Sequence, residues 1–180
     1  MESCEQAKGV STLQHGVSVK NYLFDLINHL RYKYPLKYEW KLPDWVYENS
    51  EFILSRLPDD KTLGLYTEYH DCGKWASLEV DSDGKRHFPN HAEKSYEIFN
   101  QVFKNKIAAD LVKHDMDIHI LKADGVEDFC KNPLAITLLI TGLAEIHSNA
   151  AMFGGIDSTS FKIKLKSITQ RGKQILNLLK

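Results

Sequence analysis

The sequence predicts an all-α fold organised as one domain, and three observations carry that prediction. Apolar residues recur at i, i+3, i+4 and i+7 in one segment after another, the spacing of a helix with one buried face. Clusters rich in Pro, Gly, Asn and Asp separate those segments. The chain has 180 residues, 43% of them hydrophobic, which is enough for a single core that needs no disulfide or metal to hold it.

Taken in order, residues 1–13 are polar and without a period, and read as a flexible N-terminal arm ahead of a domain over 14–180. From His15 a helical stripe runs through Val19, Tyr22, Leu23, Leu26, Ile27 and Leu30, with His15 at its head. Tyr32 to Trp45 is rich in aromatics and lysine and contains Pro35 and Pro43, so it reads as a connection whose aromatics pack as a lid or core edge. Asp44 then caps a helix through Val46, Phe52, Ile53 and Leu57, which Pro58 ends. Leu63, Tyr66 and His70 share the inward face of the next helix, and Asp71 lies about 100 degrees around from His70. Gly73 lets the backbone turn, and Lys74 adds a positive charge beside the pair.

Asp81-Ser-Asp83-Gly84-Lys85-Arg86 is a solvated turn, because a calcium loop would need later acidic ligands that are missing. Asn90-His91-Ala92-Glu93 has the form of a capping box and opens a helix with His91, Ser95, Ile98 and Val102 on one stripe. Ile107, Leu111 and His114 repeat the pattern on the following helix. Asp115, Asp117 and His119 fall in a segment without a sustained period, before a short helix through Val126 and Phe129. The most apolar helix, 134–153, carries Leu134, Leu138, Thr141, Glu145 and Asn149 on one stripe, so a carboxylate stands among buried groups. Such a group is paired, protonated or bound to a metal, and Arg56 and Lys74 are the candidate partners in the first case. Gly154-Gly155 ends that helix. Asp157 to Ser160 offers caps for a last one, in which Phe161, Leu165, Ile168, Ile175 and Leu179 form the buried side. Lys162, Lys164, Lys166, Arg171 and Lys173 read as its solvated face, with a phosphate-attracting surface as the alternative.

A formal net charge of −1 gives no overall sign of nucleic-acid or membrane binding. Cys4, Cys72 and Cys130 are too far apart for a disulfide framework or zinc ribbon, which suits a reducing cytoplasm. The longest apolar run, Leu134 to Ile146, is broken by Thr137, Thr141 and Glu145. Together with the lack of a charged-then-apolar leader, this predicts no membrane association.

The chemistry gathers at His70-Asp71. Neighbouring imidazole and carboxylate groups bind one divalent cation, and the second carboxylate oxygen reaches another. His15 beginning His-Gly-Val-Ser-Val, His70-Asp71-Cys-Gly-Lys74, His91-Ala-Glu-Lys-Ser95, His114 and a late acidic residue together resemble the HD superfamily of metal-dependent phosphohydrolases. The resemblance covers most of the chain, from His15 to Asn149. It is strongest to the two-metal branch that includes HD nuclease domains of CRISPR-associated helicases.

The resemblance implies a helical bundle of the HD type, with His15, His70 and Asp71 on one cation and Asp71, His91 and His114 on the other. Lys74 would face the substrate phosphate. The family closes its first site with an aspartate after an alanine. Here the matching place reads Leu143-Ala144-Glu145-Ile-His147-Ser148, so Glu145 is the expected ligand and His147 the second choice. The expected cofactors are two divalent ions drawn from Mn, Fe, Co, Ni, Zn or Mg. The expected reaction is metal-dependent hydrolysis of phosphoester bonds in nucleic acid or nucleotides. A nucleotide-specific enzyme acting on deoxynucleoside triphosphates or cyclic nucleotides, and a non-catalytic metal-binding HD module, are the alternatives. His29, His87 and His119 are read as ordinary hydrogen-bonding histidines.

Overall fold

The predicted helical periods become helices nearly throughout. The structure, a computed structural model, describes residues 1–7 and 9–180. Its helices are α1 (Thr12–Tyr32), α2 (Asp44–Glu48), α3 (Ser50–Ser55), α4 (Asp60–Tyr69), α5 (His91–Val102), α6 (Lys106–His114), α7 (Asp117–Ile120), α8 (Val126–Cys130), α9 (Ala135–Ser148) and α10 (Thr159–Leu179). Two small antiparallel hairpins accompany them, β1 (Glu5–Ala7) with β2 (Val10–Ser11) and β3 (Glu79–Val80) with β4 (Arg86–His87). The fold is all-α, and among the described residues no helix is long and apolar enough to cross a membrane.

Two compact units divide the chain, 1–20 with 59–116 and 21–58 with 117–180, and α1 runs on from the first into the second. In unit 1, α6 packs against both α4 and α5. Asp59 caps α4 by accepting from the Thr62 amide at 3.0 Å and the Thr62 hydroxyl at 2.7 Å. Asn105 caps α6 through Ala108 N–H, also at 3.0 Å. The hairpin β1–β2 occupies most of the expected flexible arm, of which Lys8 lies outside the described residues. It is tied to α1 by the hydroxyl and amide of Thr12, both donating to Cys4 O, a pairing that leaves no apolar period to read.

In unit 2, α10 packs on α8 and α9, and α7 on α9. Every residue of α9 from Ala135 to Ala144 is buried, as expected of a helix apolar on all sides. The connection after α1 is organised by the buried carboxylate of Asp25. It accepts from the Lys37 and Tyr38 amides and the Trp40 indole at 3.0–3.3 Å. Trp40 and Trp45 pack inward as expected. Tyr32, Tyr34 and Tyr38 do not, and stand exposed.

Three local expectations change. The helix predicted across 46–57 breaks at Asn49, whose side chain turns back to Trp45 O at 2.7 Å. Asp44 lies inside α2 and makes no cap bond there. Asn90 has φ 53° and also makes no cap bond, because a left-handed residue cannot present its side chain as a capping box requires.

Candidate metal centre

The centre in unit 1 depends on two close approaches of backbone. In α1, a side chain at Gly16 would run into the Glu68 carbonyl of α4, with its Cβ 2.8 Å from the carbonyl carbon. The missing Cβ lets the two helices touch, and it does so beside His15. After α4 the chain turns through His70 and Asp71. Gly73 there has an ordinary φ of −87°, so the turn itself does not need glycine. A Cβ at Gly73 would instead meet the backbone of Lys94 and Ser95 in α5. Gly73 N–H donates to Ser95 Oγ at 2.9 Å, which fixes α5, and His91 at its start, against the Asp71 turn.

Around Asp71 the side chains sort by oxygen. Oδ2 lies 3.6 Å from His15 Nε2 and 3.3 Å from His70 Nε2, whereas Oδ1 lies 3.7 Å from His91 Nε2. His70 Nδ1–H donates to Thr67 O at 2.8 Å and His91 Nδ1–H to Phe88 O at 2.9 Å. A carbonyl can only accept, so each Nδ1 carries the proton, and Nε2, which faces Asp71, is the atom whose lone pair a neutral ring would offer. That is the form in which imidazole binds a cation. His15, His70 and Asp71 are each at most 3% exposed, and His91 is half-buried. Burial works to raise the Asp71 carboxyl, but the imidazole of His70, the Lys74 ammonium and His15 prevail and hold it well below the usual carboxylate range. Asp71 is therefore an anion.

Lys74 is largely buried, with its side chain 10% exposed. Its ammonium donates to Asp71 Oδ2 at 2.6 Å and to Gln6 Oε1 at 2.7 Å. Gln6 belongs to β1, which Arg86 of β4 also holds through Glu5 at 2.9 Å. Burial, followed by the Asp71 charge, pushes the adjacent Cys72 thiol up to about 11, and its Sγ–H donates to Ser95 O at 3.4 Å.

On α6 the buried face is Ala108, Leu111 and Val112, continuing to Asp115, while Ile107 is 45% exposed. The stripe predicted through Ile107, Leu111 and His114 is thus rotated, and His114 lies half-buried at its edge. Val102, predicted inward on α5, is likewise exposed and Phe99 is buried in its place. Asp115, passed over in the sequence for want of a period, is buried and accepts from Tyr66 Oη at 2.6 Å.

Glu145 belongs to unit 2, where His119 rather than Arg56 engages it. His119 Nε2–H donates to Oε2 at 2.9 Å, and Asn149 approaches Oε1 at 3.5 Å. His147 has both ring nitrogens in use. Nδ1–H donates to Leu143 O at 2.8 Å, and Nε2 accepts from Lys41 N–H at 3.1 Å. With no lone pair left over, His147 is not the alternative to Glu145. His29 and His87 hold loops, through Tyr34 O and Asp81 respectively.

The donor set of unit 1 suits a divalent cation: a buried anionic carboxylate and three imidazoles directed at it, with the tautomers of His70 and His91 fixed by backbone carbonyls. Comparison of the chain with protein-family models, with curated proteins and with solved structures finds no match.

Proposed function

We propose that the protein is a metal-dependent phosphohydrolase of the HD type, cleaving phosphoester bonds in nucleic acid or nucleotides. The observation that carries the reading is the division of Asp71, with His15 and His70 on one oxygen and His91 on the other. A bridging carboxylate between two cation positions requires that division. His114 and Glu145 are assigned as the remaining ligands on the sequence pattern. Divalent cations held there would supply Lewis-acid stabilisation of a phosphoryl group and a water of lowered pKa.

The chain's own residues have defined parts in this scheme. Thr67 O and Phe88 O keep His70 and His91 in the ligand tautomer. The ammonium of Lys74 has three donors, of which Asp71 and Gln6 take two, leaving the third for a phosphoryl oxygen. Buried walls around Asp71 limit water and strengthen each charge interaction. The free thiols Cys4, Cys72 and Cys130 fit a reducing compartment, and we place the protein in the cytoplasm.

The test is a panel of phosphodiester and nucleotide substrates with Mn, Fe, Co, Ni, Zn and Mg. Turnover with at least one metal is expected, lost in His70→Ala and Asp71→Ala while far-ultraviolet circular dichroism stays helical. Full activity in His70→Ala would refute the reading. Bound metal without turnover on any substrate would favour the non-catalytic module.

A further inference from the structure

Unit 2 carries a surface that the metal centre does not account for. Between 31 and 43 the chain carries Arg31, Lys33, Lys37 and Lys41 against one acid, Glu39; Lys41 is paired with Asp157 at 2.6 Å and Lys33 donates to Leu30 O, whereas Lys37 lines a cavity. In the same stretch Tyr32, Tyr34 and Tyr38 are 57%, 59% and 40% exposed. Large rings left this open in a basic segment serve no core.

The segment is also held in place. Asp25 anchors the Lys37 and Tyr38 amides, so its own charge is engaged internally. Tyr38 stacks on Tyr22 with centroids 4.4 Å apart and planes at 19°, which fixes the ring. Lys33 turns the chain out of α1 with φ 58°, a left-handed conformation that is strained for a lysine and so needs support from its surroundings. Asn21, Asn28, Tyr34, Pro35, Lys37 and Tyr38 contribute to the lining of a cavity of about 180 Å³, room for one planar heterocycle. The side-chain amides of Asn21 and Asn28 make no hydrogen bond among the described residues.

We propose that this cavity holds one base of a single-stranded polynucleotide. Tyr34 and Tyr38 supply the stacking faces, Asn21 and Asn28 the donors and acceptors for the base edge, and Lys37 the charge for an adjoining phosphate. A proline-rich peptide would use the tyrosines and leave Lys37, the cation of the cavity lining, without a counterpart. The inference names a polymer as the substrate class and rests on the phosphohydrolase reading for that much. The binding step itself requires no divalent cation.

The experiment measures fluorescence anisotropy of a labelled oligothymidylate of about ten nucleotides with full-length protein in EDTA. Binding is expected at about 50 mM salt, weakening steeply toward 200 mM. Tyr34→Ala weakens it about tenfold and Tyr34→Phe, which keeps the ring, does not. Lys37→Ala lowers the slope of log affinity against log salt by about 0.7. Absence of binding at low salt overturns the proposal, as does an unchanged affinity in folded Tyr34→Ala or an equal loss in Tyr34→Phe. A concentration-dependent dimer abolished by Tyr34→Ala would make the face a self-interface and also overturn it. Mononucleotide hydrolysis without oligonucleotide binding sinks this inference alone. Oligonucleotide binding without hydrolysis by any metal form sinks the enzymatic reading alone.

Discussion

Replacing Gly16 by alanine sets two effects of opposite sign against each other. In an exposed helix the change stabilises by about 1 kcal/mol, because alanine is the better helix former. In this protein the new Cβ would lie 2.8 Å from the Glu68 carbonyl carbon, and contact becomes ordinary only at 3.4 Å. The obstacle is backbone, so no side chain can swing aside. α1 and α4 must part locally by at least about 0.6 Å, and a gap of that size forfeits a quarter to a half of the dispersion attraction across it. Overpacking of this kind costs about 1–3 kcal/mol, more than the helix propensity returns. The expected result is a net loss of up to about 2 kcal/mol in urea denaturation. Because His15 adjoins Gly16, its ring is displaced from Asp71 Oδ2, and Mn²⁺ affinity by calorimetric titration falls about tenfold or more. A Gly16→Ala protein more stable than wild type, with unchanged metal affinity, would refute the argument that this glycine makes the close approach.

Two further predictions follow from unit-specific environments. At pH 8 the Cys72 thiol, pushed up to about 11 by burial and by Asp71, is only about 0.1% thiolate. A disulfide reagent should therefore label half-buried Cys130 first and reach Cys72 only on unfolding, which peptide mapping of the native protein would show. Burial lowers the His147 imidazole below its ordinary value, against the opposing hydrogen bond to Leu143 O, and a proton on Nε2 would displace the Lys41 amide. The stability from neutral His147 is complete above the unfolded value of about 6.5 and is lost as pH falls through the folded one. The melting temperature of wild type should thus drop more steeply between pH 7 and 5 than that of His147→Gln, and parallel slopes would show that His147 is not responsible.

What the sequence makes legible is whatever repeats within one helix. The stripe Val19, Leu23, Leu26, Ile27 and Leu30 is buried, and α9 is buried on nearly all sides, because the 3.6-residue period is a property of the chain alone. Where a helix is short, the period has too few turns to fix its phase. On α6 the choice between Ile107–Leu111–His114 and Ala108–Leu111–Asp115 is settled by Tyr66, which offers Asp115 a hydroxyl from α4. The break at Asn49, the Asp25 anchor and the His119–Glu145 pair likewise depend on partners that no local pattern points to.

The glycines show the same boundary at the candidate centre itself. Read along the chain, Gly73 in His70-Asp71-Cys-Gly-Lys74 suggests a turn, and Gly16 after His15 suggests only a small residue early in a helix. In the fold neither has a positive φ, and a Cβ at either would strike backbone of another helix. Each stands next to a residue that reaches Asp71, His15 in one case and Lys74 in the other, so the two gaps set how near His15 and His91 come to that carboxylate. A histidine in a motif states which atom is available to a cation. The glycine beside it decides whether that atom arrives, and that decision involves a second helix distant in sequence.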